Sequence, residues 1–77
     1  MKINILVFGQ LYDITKVSQF AIYEVNNTEQ LTQKLIEQFP ELVQFKFSIA
    51  VNKKIVQQNT ILNNEDTVAL LPAFSGG

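Results

Sequence analysis

The chain has 77 residues, with no cysteine, no histidine and a formal net charge of −1. The missing residue types exclude a disulfide scaffold, a thiolate nucleophile, the usual general base and the commonest metal ligand. Six basic residues set against seven acidic ones leave no basic face for nucleic acid, and 47% hydrophobic residues describe one dense domain and not a disordered chain.

Ile3 to Phe8 reads as the first strand, with Ile3, Ile5 and Val7 on one face and Leu6 and Phe8 on the other, as in a strand covered on both sides. Asn4 interrupts the apolar run and no small-residue cleavage site follows, so the start is not read as a signal peptide. No stretch approaches transmembrane length, and a cytoplasmic location is expected. Gly9 and the run Gln10 to Lys16 form a connection with room for one helical turn. Phe20 to Val25, rich in aromatic and β-branched residues, is a second strand, close enough to the first to pair antiparallel.

Asn26-Asn27-Thr28-Glu29 is a helix-start cluster, with an acid where the helix dipole favours one. Leu31, Leu35 and Phe39 follow at four-residue spacing with Ile36 beside them, which gives one apolar stripe. Pro40 bars Phe39 from the helical region and ends the helix there. The opposite face, Gln30, Gln33, Lys34 and Glu37, is a solvated surface.

Phe47, Ile49 and Val51 alternate with smaller or polar residues and give a third strand. Asn52-Lys53 is a turn signal, Ile55-Val56 a short fourth strand, and residues 59–66 a loop with room for a helical turn. Thr67 to Leu71 is a fifth strand, apolar on both faces and therefore central. Pro72 has no N–H to donate and is expected to end the ladder, leaving residues 72–77 as a flexible tail on a single domain of residues 1–77. The order β-β-α-β-β-β is the pattern of an α+β, β-grasp (ubiquitin-like) fold. That fold is a mixed five-stranded sheet with one main helix on one face and the first and last strands adjacent at its centre.

The chain closes on Ser75-Gly76-Gly77. Six extended residues after Leu71 reach at most about 20 Å, enough to enter another protein's active site. Glycines at 76 and 77 let a slim backbone pass a narrow channel, with Ser75 threading behind them. A carboxylate becomes reactive once adenylated with ATP, and the acyl-adenylate then accepts an amine, a thiol or a sulfide equivalent. Phe74 is either an anchor on a partner or a residue folded back on its own domain; burial at an interface favours the anchor. Leu71 and Ile55 are either core residues or an exposed patch beside the tail exit. Tyr12 reads as a surface aromatic, and Lys53-Lys54 as a solvated turn.

These residues resemble a family, the small sulfur-carrying subunit of molybdopterin synthase (the MoaD family, within the ubiquitin-like/ThiS superfamily). The resemblance rests on Ile3–Phe8 with Gly9-Gln10, the helix from Thr28, Val51-Asn52 with Ile55, and above all the run from Glu65 through Pro72 to Gly77. It implies that Gly77 is adenylated by an ATP-using enzyme of the ubiquitin-activating type and converted to a thiocarboxylate. The tail would then enter a large subunit and give sulfur to cyclic pyranopterin monophosphate, making molybdopterin. It further implies partner contacts through Phe74, Pro72, Leu71 and Ile55, and an elongated heterotetramer of two small and two large subunits. The catalytic groups would lie on the large subunit, and no metal or cofactor would be held by this chain. Where the family often has an Arg-Glu pair, a glycine before the last strand and a second proline, this chain has Tyr12-Asp13, Asn63-Asn64 and Ala73. Other readings stay open: a carrier for thiamine or tRNA thiolation, a ubiquitin-like protein modifier, or an interaction domain with an inert tail.

Overall fold

Alternation sets the first element. Strand β1 (Lys2–Val7) buries Ile3, Ile5 and Val7 and leaves Lys2, Asn4 and Leu6 half-buried on its other face. A 3-10 turn at Gly9–Leu11 runs into the single-turn helix α1 (Tyr12–Thr15), and Leu11 is tucked into the core. Strand β2 (Gln19–Tyr23) returns antiparallel beside β1, from Lys2↔Tyr23 to Leu6↔Gln19. The computed structural model describes residues 1–73 of the chain.

Helix α2 (Thr28–Gln38) starts where the cap residues predict. The Asn27 side chain accepts a 2.8 Å bond from the Gln30 N–H, and the Asn26 N–H donates to Gln30 Oε1 at 2.8 Å. Asn59, far along the chain, adds a second cap: its Oδ1 accepts from the Glu29 N–H at 2.9 Å. Two of the orphan donors of the first turn are thereby satisfied. Leu31 and Leu35 are completely buried, and Phe39 closes the helix and meets Phe20 edge-on at 5.7 Å. Pro40 does not release the chain into a loop. It opens a 3-10 turn, Pro40–Gln44, that buries Leu42 completely.

Strands β3 (Phe47–Val51), β4 (Lys54–Val56) and β5 (Thr67–Pro72) complete a five-stranded sheet in the order β2-β1-β5-β3-β4. β1 and β5 pair parallel at its centre, and the other pairs are antiparallel. This is the expected β-grasp architecture. The core lies between one sheet face and α2: Ile3, Ile5, Val7, Ile22, Val68 and Leu70 from the sheet meet Leu31 and Leu35 from the helix, with Leu11, Leu42 and Leu62 closing the ends. Full burial of side chains this size stabilises by about 1.5–3 kcal/mol each before chain entropy is counted.

Two expectations need correction. The central strands are not covered on both sides. Leu6, Ala69 and Leu71 are half-buried and Phe8 is 46% exposed, because one helix covers only one face of the sheet. Residues 59–66 form no helical turn. Ile61 bridges to Asn27 instead, and polar side chains hold the loop. Asn63 N–H donates to Asp66 Oδ2 at 2.8 Å, and Asn4 Nδ2 reaches Glu65 Oε1 at 3.2 Å.

The β3–β4 hairpin turns on Asn52 and Lys53, at φ 49° and 73°. Two successive positive φ values are the type I′ pattern, which suits glycine at the second position and strains lysine there. Asn52 does more than turn. Its Nδ2 donates to Asp66 Oδ1 at 3.0 Å and its Oδ1 accepts the Thr67 N–H at 3.0 Å, locking the hairpin to the start of β5. Lys53→Gly should therefore raise stability by about 1 kcal/mol, and Asn52→Ala should lower it by about 1–3 kcal/mol. Urea unfolding of the three chains checks both signs; equal midpoints would contradict the turn assignment.

Candidate functional site

The end of β5 is positioned from both sides, and the two sides differ. Toward β3, the register runs Val51↔Val68, Ala50↔Ala69, Ile49↔Leu70, Ser48↔Leu71 and Phe47↔Pro72. The Ala73 N–H then donates to the Lys46 carbonyl at 3.2 Å, so pairing with the β3 side continues past the proline. Toward β1, the Phe8 N–H donates to the Leu70 carbonyl at 3.1 Å. In this parallel register the next donor to β1 would be the N–H of residue 72, and proline has none.

Pro72 thus ends the β1 side of the ladder and leaves the β3 side intact. The expectation that it ends the strand, with a tail free from residue 72, is corrected: Pro72 is the last residue of β5 and Ala73 is still bonded to the sheet. The physical reason is that the pyrrolidine nitrogen faces β1, where a missing donor does not disturb the pairing with β3.

Around this point the chain forms a collar. Gln10 and Leu11 on one side and Gln44, Phe45 and Lys46 on the other line a cleft of about 400 Å³ with Pro72 and Ala73. Val43 and Phe45 stand exposed nearby in sequence, at 69% and 41%. Sequence reasoning passed over this 3-10 segment, because Pro40 read as a helix stop and nothing in its five residues forms a periodic pattern.

The register also fixes what shares the uncovered face of the sheet. Leu6, Ala69, Ala50 and Ile55 are paired in one row across β1, β5, β3 and β4. Leu71 lies on the same face one step toward the C-terminal end, opposite Ser48. Ile55 is 57% exposed. Leu6, Phe8 and Ala69 line a shallow depression of about 370 Å³ with Asn52, Lys53 and Thr67. Leu71 and Ile55 therefore belong to the open face and not to the core, and the patch includes Leu6 and Phe8, two residues assigned to a covered face from sequence. Their signal was present in the strand alternation, but only the count of covering elements tells which face stays open. Tyr12 is on the surface, 46% exposed. Phe74, Ser75, Gly76 and Gly77 lie outside the described residues.

Among the described residues no side-chain group of three or more acids is gathered as a metal site, and no helix is long and apolar enough to cross a membrane. What the described residues present is a strand end held in a fixed place beside an apolar sheet face.

The ThiS family model matches residues 5–77. A molybdopterin synthase sulfur carrier subunit of Mycobacterium tuberculosis is 28% identical over 82 residues, spanning 100% of this chain and 99% of that one. Among solved structures, subunit 1 and 2 of the molybdopterin-converting factor from Helicobacter pylori, a protein–protein complex, aligns at TM-score 0.74 with 26% identity and full coverage of both chains. The small archaeal modifier protein 1 of Methanosarcina acetivorans aligns at TM-score 0.84 with 18% identity, covering 99% of this chain and 96% of that one, a likeness of fold. The resemblance to the molybdopterin-synthase small subunit drawn from the sequence is borne out by these relatives. Matched from Ile5 through Gly77, the chain belongs to the ThiS family.

Proposed function

We propose that the chain is a sulfur carrier of the molybdopterin-synthase small-subunit type, working through the carboxylate of Gly77. The observation that carries this reading is the family match running through Gly77, behind a strand that is bonded to the sheet as far as Ala73. The relatives named as a sulfur carrier subunit and as a converting-factor subunit in complex with its second subunit support the same assignment.

The chemistry follows from what a carboxylate lacks, a good leaving group. A Gly77 carboxylate oxygen attacks the α-phosphorus of ATP in an activating enzyme, and pyrophosphate leaves. A sulfide equivalent then attacks the acyl carbon and displaces AMP, leaving a thiocarboxylate. That sulfur is the nucleophile delivered to cyclic pyranopterin monophosphate on a large subunit, in a heterotetramer set in the cytoplasm. This chain holds and aims the group. The acid–base residues of transfer are the partner's, since no histidine or cysteine exists here. Leu71, Ile55, Leu6 and Phe8 meet the partner through the open face, Pro72 and Phe74 brace the base of the tail, and Ser75 and Gly76 thread it.

Incubation with ATP, a cognate activating enzyme and a sulfur donor should raise the intact mass by about 16 Da, the exchange of one oxygen for sulfur. Deletion of Gly77 should abolish the gain without changing the unfolding midpoint. No adenylate and no gain in the full chain would contradict the reading. Its likeness in fold to an archaeal modifier favours one second reading, an isopeptide bond from Gly77 to a lysine, which the same reaction would reveal as high-mass conjugates.

Ile55→Ala should change stability by no more than about 0.5 kcal/mol, because the side chain is exposed, whereas Leu70→Ala should cost about 2–5 kcal/mol. Against the large subunit, Ile55→Ala should weaken binding by about 1 kcal/mol or more, measured by calorimetry. Unchanged affinity would remove Ile55 from the interface.

A further inference from the structure

Gly9 follows β1 at φ +61°, in the left-handed region that side chains rarely adopt. A Cβ placed on it would lie 2.7 Å from Pro72 Cγ, 3.4 Å from Cδ and 3.8 Å from Cβ. A linear side chain would swing aside, but a proline ring gives only through its pucker, and whatever the pucker leaves unrelieved moves the end of β5. The contact stands where the β1–β5 hydrogen bonds stop. Phe8 N–H makes the last bond from β1 to the Leu70 carbonyl, and beyond it the Gly9 backbone against the Pro72 ring takes the place of the bond proline cannot make.

We infer that Gly9 is a positioning residue for the C-terminal arm. By offering no Cβ to Pro72 it lets β5 run on until Ala73 bonds to the Lys46 carbonyl, and so sets where the last four residues begin. The inference rests on the sulfur-carrier reading for its consequence: four residues span at most about 14 Å, so a partner must receive the Gly77 acyl carbon within that distance of the collar. A shift of β5's end by even part of the clearance that a Cβ demands moves that carbon relative to the partner's groups.

The test uses Gly9→Asn, because asparagine tolerates positive φ and what remains is the Cβ against Pro72. Two measurements are made on the full chain. Amide hydrogen exchange should show the Ala73 N–H losing about tenfold or more of its protection, with Val68 and Leu70 still protected. Thiocarboxylate formation with the cognate activating enzyme should lose up to about 100-fold in kcat with KM within about twofold. Adding Pro72→Ala to Gly9→Asn removes the ring. It should return the Ala73 protection to that of Pro72→Ala alone, and it keeps the test open should Gly9→Asn itself fail to fold. Unchanged Ala73 protection in Gly9→Asn, or a double variant no better than the single one, would overturn the inference and leave the carrier reading standing. A wild-type chain that forms no adenylate would overturn the carrier reading and the kinetic consequence with it, while the exchange data still decide the geometry.

Discussion

A strand from the first residues and a strand from the last lie side by side at the centre of the sheet, in parallel register from Asn4↔Thr67 to Val7↔Leu70. This pairing places Ile5 beside Val68 and Val7 beside Leu70, the middle of the core, and brings the end of β5 out next to the first turn. A parallel pair needs a long crossover, and here everything between β1 and β5 supplies it. Most of the fold is therefore a device for closing one long loop. The loop is held by Asn59 at the helix N-terminus, Asn52 at the start of β5 and Asn4 over the turn at Glu65.

The same pairing governs the end of β5. A terminal strand at a sheet edge would peel from one neighbour. A central one is bonded on both sides until the sequence stops it, and Pro72 stops only the β1 side. The end of β5 is thus fixed by its pairing with β3, with the Pro72 ring set against Gly9. One helix is enough to bury one sheet face in a chain of this length. The other face, with Leu6, Ala69, Leu71 and Ile55, stays apolar and partly open without being needed by the core.

Much of this was legible from the residues. Period-two alternation at Ile3-Ile5-Val7 and Phe47-Ile49-Val51 and the Leu31-Leu35 stripe carry element type and the buried face directly. Three features were not legible, each for a physical reason. The open face looks like a covered one, because Leu6 and Leu71 are apolar whether they meet a helix or a partner. The role of Pro72 depends on which neighbour its nitrogen faces, and that follows from register and not from residue type. Gly9 reads as an ordinary loop glycine, because the ring it must clear lies far along the chain.

The central claim is that the open face and the strand end, and not the helix, meet the partner. Titration of the isotopically labelled chain with the molybdopterin-synthase large subunit, followed amide by amide in NMR spectra, tests it most directly. The account predicts that Leu6, Phe8, Ala69, Leu71, Ile55 and Ala73 shift together while Gln30, Gln33 and Glu37 on the outer face of α2 stay in place. Shifts confined to α2 and the loop that caps it, with the open face unmoved, would contradict it.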